Sequence, residues 1–444
     1  MKGRPLRLVW ICSFVLVVAV LCGACLGLDR ISEKSQSAGD SGCGSAEAYY
    51  QWLQGSLEAI EKDLPHITES AEAAARLHVL EGYGIAARGD PGFVTEISGR
   101  SGGLMTLRAA DRSRGPGSKS IVLLAPRDDA LEEDLRAAAA HLERGDMVVA
   151  FVRKSVLTHA RSAGVKFSSA IENHAAENGG LYSGPGGTWV VPTDTTANIA
   201  AGWTWTGEFV AACTRLGKMP TMYQGFAVPG GPERAQTLRN KKFHDFTPEK
   251  VPPGRLGGAF LGELRKDLAA FHEHEMDKVR KLADLAVKTQ KEGRGVYVFA
   301  HSHALVFDVG CAHDPGYFKQ INKDWFTTRP DIALKAGDLV FGLGFDTIFR
   351  GKEWSNFDEK ARKAGATLVW SITDYKKEEI QAIPPGEMLI EQHWDFGDAV
   401  VEVPGYDIKI LPTSGVIVEQ IMWGLNAEVH GLLCAGAQSK TKGL

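Results

Sequence analysis

The feature that most constrains this fold is an internal repeat. The run Gly145-Asp146-Met147-Val148-Val149-Ala150-Phe151 aligns with Gly365-Ala366-Thr367-Leu368-Val369-Trp370-Ser371, 220 positions further on. Pro192-Thr193 aligns with Pro412-Thr413 at the same offset. Each Pro-Thr pair follows a short apolar run and precedes a long helical stretch, Thr195–Leu216 and then Val416–Leu433. Shared spacing with a shared element order marks a duplication.

Within each half, apolar runs without alternation lie between helical stretches. Gly84–Arg88, Ser120–Ala125 and Met147–Val152 read as strands in the first half. Val296–Ala300, Asp338–Gly342 and Thr367–Ile372 read so in the second. Helices are expected at Ala71–Glu81, Asp129–Arg144, Met276–Glu292 and Phe357–Ala364. Continuous apolar strands between helices imply parallel sheets covered on both faces. The expected fold is therefore α/β, two tandem doubly wound parallel-sheet domains of a flavodoxin-type three-layer kind. Ligands of such sheets bind beyond the C-terminal strand ends. The expected boundaries are 46–227 for the first domain, 228–262 for a connector rich in Pro and Gly, 263–434 for the second domain and 435–444 for a tail.

The N-terminus carries its own expectation. Lys2, Arg4 and Arg7 precede an uncharged stretch from Leu8 to Leu28. That length spans a bilayer as a helix, and the basic flank puts the body on the far side. Residues 1–28 are thus an uncleaved membrane anchor, or a secretory signal cut near Ala24–Cys25, or a lipoprotein signal with Cys25 modified. The body is expected to be membrane-anchored or exported, outside the cytoplasm. Residues 29–45, rich in Ser and Gly, read as a flexible tether.

Composition excludes other classes. Hydrophobic residues at 44% and charged residues at 23% rule out wholesale disorder. A net charge of −4, with no basic run beyond the first seven residues, argues against nucleic acid as a partner. Of seven cysteines, three lie in the N-terminal stretch and the others form no CxxC pair, so neither a disulfide framework nor a cysteine zinc site is expected. The chain has no P-loop, GxSxG or HExxH motif and no complete GxGxxG fingerprint. No cofactor and no metal are expected.

Candidate site residues cluster at the turns. Gly89-Asp90-Pro91-Gly92 opens a helix after a strand, where free amides hold an anion, or where glycine merely makes the turn. Asp90 would cap those amides itself, and Arg100 or Arg127 would restore positive charge. His301 and His303 flank Ser302 and share a side of an extended segment, as acid and base, as ligands or as structural residues. His272-Glu273-His274-Glu275 is not expected to hold an ion, since helical residues two apart diverge by about 200°. Trp203, Trp205, Phe209, Met422 and Trp423 are expected in the core, packing the copies together as an intrachain pseudo-dimer.

The ordered set of motifs resembles the sugar isomerase (SIS) domain family of phosphosugar-binding proteins. The likeness lies in Gly89-Asp90-Pro91-Gly92-Phe93 with Glu96-Ile97-Ser98-Gly99-Arg100-Ser101-Gly102-Gly103, in Ala300-His301-Ser302-His303-Ala304, and in Met222–Gly231 with its Pro-Gly-Gly. It spans residues 46–434 as two copies. The chain departs from the family at the loops that cradle phosphate. The serine of the glycine turn falls at Phe93, and the second loop of the first copy is Ala125-Pro126-Arg127-Asp128. The second copy keeps Thr347 in Gly342–Thr347.

The resemblance implies a protein binding a sugar phosphate or related carbohydrate derivative, and the apolar stretch 8–28 adds the expectation that it is membrane-tethered. Two activities stay open: an aldose–ketose isomerase, or a non-catalytic sensor or interaction module. For an isomerase, the implied proton-moving residues are Glu96, His301 and His303. The implied substrate-binding residues are Gly89, Asp90, Gly92, Arg100, Arg127, Ser302, Thr347, Thr413 and Ser414.

Overall fold

The computed structural model describes residues 44–110, 118–226, 228–329, 331–373, 377–395 and 397–441. The apolar stretch 8–28 and most of the tether lie outside the described residues. Among the described residues, no helix is long and apolar enough to cross a membrane.

Two helices, α1 (Ala46–Lys62) and α2 (Leu64–Leu80), precede the first sheet. Ser45 caps α1, its Oγ accepting from the Ala48 amide at 3.1 Å. Strand β1 (Gly84–Gly89) leads into α3 (Pro91–Ile97), and β2 (Leu107–Ala109) and β3 (Ser120–Ala125) follow. Next come α4 (Leu131–Glu143), β4 (Met147–Val152), α5 (Lys154–Ser162) and β5 (Ser169–Glu172). A hairpin of β6 (Gly180–Ser183) and β7 (Trp189–Pro192) then delivers the chain to α6 (Asp194–Arg215). The segment between the halves holds α7 (Gly231–Thr237) and the first turns of α8 (Arg255–Lys291).

The second half repeats the scheme. It runs β8 (Val296–Ala300), α9 (Leu305–Asp308), β9 (Lys319–Gln320), β10 (Leu339–Leu343), α10 (Phe357–Ala364), β11 (Thr367–Ile372), α11 (Lys377–Gln381), β12 (Met388–Glu391) and α12 (Ser414–Thr441). The first sheet has order β2-β1-β3-β4-β5, and the second β12-β11-β10-β8-β9. Counted from the first strand of each half, both are 2-1-3-4-5, and every pairing in them is parallel. This is the flavodoxin-like doubly wound order.

Burial explains why the strands read as continuous apolar runs. All six residues of β3 and of β4 are buried. Ile121, Leu123, Val149 and Phe151 face the layer of α1, α2, α6, α8 and α12. Val122, Leu124, Val148 and Ala150 face α4 and α5 through Leu135, Ala138, Val156 and Ala160. In the second sheet Val298, Phe341 and Val369 turn to the same central helices. Phe299, Val340, Leu368 and Trp370 pack on the α10 side with Phe357 and Ala361. The two sheets thus share one helical layer, in which every residue of α6 from Thr195 to Thr214 is buried. Trp203, Trp205 and Trp423 lie in it, fully buried, as the helical spacing suggested.

The repeat extends to the backbone. Val191 and Leu411, 220 positions apart, have φ of +65° and +64°. Bulky residues avoid this region, which costs of order 1–3 kcal/mol. Each amide bonds into the opposite copy, Val191 N–H to the His313 carbonyl at 2.9 Å and Leu411 N–H to the Gly102 carbonyl at 3.0 Å. The copies therefore clasp each other where each long terminal helix begins.

Helix α8 starts earlier than the expected Met276. Gly254, with φ of +77°, ends the turn, and Leu256, Phe260, Leu261, Leu264 and Leu268 already follow a helical stripe. Gly257-Gly258 masked that stripe in the sequence; Gly257 is needed because a Cβ there would crowd the Thr204 carbonyl.

Candidate functional site

A 2-1-3-4-5 sheet opens a crevice between its first and third strands, at their C-terminal ends. In the second half, β8 and β10 flank that crevice. A cavity of about 480 Å³ lies there. His303 enters from the turn after β8, Phe345 and Asp346 from the loop after β10, and Trp394 from beyond β12. The first copy closes the other side with Ser98–Ser101 and with Tyr223–Phe226. Ser101 Oγ donates to the Gly397 carbonyl at 2.8 Å, joining the two walls.

Arg100 is the cationic centre of the cavity wall. Its Nε donates to Glu96 Oε1 at 3.0 Å, and its Nη2 meets Asp398 Oδ2 at 2.5 Å and also Ser414 Oγ. The guanidinium lies over the Phe345 ring, 5.0 Å from its centroid. Burial opposes the Arg100 charge, but Asp398 and Glu96 outweigh it and raise its pKa. Burial likewise lifts Asp398, to about 6, against the pull of Arg100. Asp398 Oδ2 accepts from Ser414 Oγ at 2.8 Å and Oδ1 from the Ser414 amide at 3.2 Å. The chain's own carboxylate thus sits at the N-terminus of α12.

Glu96 does not line the cavity. It is fully buried beneath the first turn of α12, where a Cβ at Gly415 would collide with its carboxylate. Asp308 holds the corresponding place in the other copy, against Gly92 and Thr195.

His303 lines the cavity, and its Nδ1 is buried with no hydrogen-bond partner among the described residues. The Thr95 carbonyl accepts from the ring, so Nε2 carries the proton and Nδ1 keeps its lone pair. Burial first, then the Arg100 charge, hold the pKa well below the usual histidine value, so the ring is neutral near pH 7. His301 points elsewhere. Its Nδ1 bonds the Trp325 carbonyl at 3.1 Å, and its ring packs edge-on against Trp354 at 4.7 Å. Burial lowers its pKa to about 4.

The hydroxyls read from the sequence serve the fold. Ser302 Oγ accepts from the Leu305 amide at 2.9 Å. Thr347 Oγ1 donates to the Ile348 carbonyl at 3.2 Å, and Thr413 Oγ1 bonds Asp267 at 2.7 Å. In the first copy, Asp90 caps α3, accepting from the Phe93 amide at 2.6 Å. Gly89, with φ of +100°, lets the turn close over the Ala125 carbonyl. Arg127 is held by Asp134 at 2.8 Å and by Glu133 at 3.3 Å. Gly89 and Arg127 border a shallower cavity of about 340 Å³.

The counterpart of the Arg100 network is filled. Asp128 bonds His313 Nε2 at 2.7 Å and Arg153 at 2.5 Å, and Arg153 also pairs with Asp194. Asp128, Asp194 and His313 converge closely enough for a metal ion, but Arg153 occupies the position between the carboxylates. The His272–Glu275 segment is split between neighbours. His272 bonds Glu47 at 2.8 Å and stacks on Tyr50, while Glu275 is buried and accepts from the Glu391 amide at 3.0 Å. A cavity of about 1120 Å³ lies at the N-terminal end of the second sheet, around Gly295, Tyr297 and Asp338, opposite the end where such folds bind ligands.

Asp398, Phe345, Trp325 and Trp394 were not singled out from the sequence. Asp398 lies in a loop with no periodic signal, and the aromatics sit beyond strands as isolated residues.

With the strand order and these motifs together, the resemblance can be stated. The chain resembles the sugar isomerase (SIS) domain family. Among solved structures, it is similar to a "putative phosphosugar isomerase" from Silicibacter pomeroyi, at 12% identity and a TM-score of 0.48, covering 88% of this chain and 98% of that one. It is also similar to the C-terminal domain of glucosamine-fructose-6-phosphate aminotransferase from Francisella tularensis, at 10% identity and a TM-score of 0.43, covering 85% and 95%. No family model and no curated protein matches the chain. Likeness at this level says nothing of substrate or activity.

Proposed function

We propose that this chain binds a small carbohydrate derivative in the cavity between His303 and Arg100, and that His303 moves a proton between adjacent carbons of it. One observation carries the reading: a neutral imidazole with an unpartnered Nδ1 lines an aromatic-walled cavity at the switch point of the second sheet. Aromatic faces suit the C–H faces of a sugar ring. The Nδ1 lone pair takes the proton from the carbon beside a carbonyl, and the imidazolium returns it to the former carbonyl carbon, while the hydroxyl proton of the first carbon passes to the former carbonyl oxygen. Arg100 Nη1, which makes no hydrogen bond among the described residues, faces the oxygen where negative charge develops. Glu96 and Asp398 hold the guanidinium in place. The apolar stretch 8–28 is proposed as the tether or export signal of this body.

A second reading is binding without turnover. It is favoured by Glu96, sealed off from the cavity, and by the hydroxyls of Ser302, Thr413 and Ser414, all engaged within the fold. Deuterium uptake separates the two. In deuterated water a bound aldose or ketose acquires deuterium at the carbon beside the carbonyl, and His303→Ala abolishes uptake while leaving the melting temperature unchanged. Uptake that survives His303→Ala sinks the proton-transfer role.

A further inference from the structure

Resting on the carbohydrate reading, we infer that the ligand is an acidic oligosaccharide, whose second sugar unit crosses Phe226 and sets a carboxylate on Arg108 and Arg239. A second groove of about 480 Å³ adjoins the His303 cavity, and Tyr223 and Phe226 line both. The segment that carries them is fixed to the first copy by its backbone. Tyr223 N–H donates to the Gly103 carbonyl, Gly102 N–H to the Tyr223 carbonyl and Met105 N–H to the Thr221 carbonyl, each at 2.9 Å. The Phe226 side of this boundary is 65% exposed. An aromatic face left open between two cavities suits the C–H face of a sugar ring that spans them.

The second groove is cationic and uncompensated. Arg108, on β2, and Arg239, just after α7, both line it. Neither makes a hydrogen bond or an ion pair among the described residues. No carboxylate belongs to its lining among those residues. Arg234, on α7 itself, shows the contrast, since Asp407 holds it at 2.6 Å. Gln236 and Asn240 add side-chain amides to the same groove, which donate to and accept from sugar hydroxyls. A guanidinium presents parallel N–H donors that match a carboxylate. A ring face with an acid group beside it is what a uronic acid unit offers.

Calorimetric titration of the full chain at pH 7 tests the inference. The probes are D-glucose, cellobiose, maltose, and the two disaccharides with a carboxylate in place of the primary alcohol of the non-reducing ring. At least one acidic disaccharide is expected to bind about tenfold more tightly than its neutral parent. Arg108→Gln combined with Arg239→Gln is expected to close that gap, and both side chains are exposed, so the fold does not depend on them. Acidic disaccharides that bind no better than their parents, while D-glucose binds, overturn the inference and leave the carbohydrate reading standing. A gap that survives the double substitution overturns the inference too. Heat from none of the sugars, D-glucose included, overturns the carbohydrate reading itself.

Discussion

Single residues set both the chemistry and the stability of this protein. Asp308 and Glu419 are buried where the two copies meet, with the half-buried Asp90 beside them. Burial first, then the Asp90 and Glu96 carboxylates, raise Glu419 from 4.5 to about 8. Trp423 Nε1 donates to its Oε2 at 2.6 Å, while Oε1 has no partner among the described residues. The folded chain therefore holds a proton that the unfolded chain releases above 4.5. This contribution is fully present below pH 4.5 and is lost as pH rises through 8. Glu419→Gln keeps the bond from Trp423 and is expected to raise stability at pH 9 by about 1–3 kcal/mol, with little change at pH 4.5, measured by urea unfolding at both pH values. A variant equally destabilised at both would contradict the assignment. The sequence disclosed His303, in the turn after β8, and Arg100, just past the helix that the Gly89–Gly92 turn opens. It did not disclose Asp398 or Glu419, whose role depends on contacts between the halves. Arg100 finds Ser414 across 314 positions of chain, and no local pattern encodes that pairing.

Elements were far more legible. Ser120–Ala125, Met147–Val152, Val296–Ala300 and Thr367–Ile372 form strands with the bounds their apolar runs indicate, because both faces of each are covered. The edge strands β2, β5, β9 and β12 are two to four residues long, too short to carry a period. The hairpin β6–β7 lay hidden for another reason: its residues take their places partly from α12 and the loop at His313. The clasp between copies gives a direct test at this scale. Gly415 lies in the first turn of α12 with the Glu96 carboxylate against its Cα. Gly415→Ala would ordinarily favour a helix, but here the added methyl must displace a buried, ion-paired carboxylate. The expected outcome is a loss of about 1–3 kcal/mol in chemical denaturation. A stabilised variant would show that Glu96 is free to move.

At the scale of the whole molecule, duplication has produced two copies of one sheet whose crevices differ, the larger beside the second sheet and a smaller cavity of about 340 Å³ beside Gly89 and Arg127 of the first. Around the first sheet, Arg153 and His313 close the carboxylates of Asp128 and Asp194. Around the second, the equivalent space remains as a cavity of about 480 Å³. The first copy supplies one wall of the cavity beside the second sheet, through Ser98–Ser101 and Tyr223–Phe226. The cavity between His303 and Arg100 is proposed as the place where a sugar binds. A crystal structure of the full chain soaked with D-glucose tests it most directly. One sugar per chain is expected, stacked near Trp325 and Trp394, within hydrogen-bond reach of His303 Nδ1 and Arg100. A sugar seated instead by Asp128 and His313, or in the cavity at the N-terminal end of the second sheet, would contradict it.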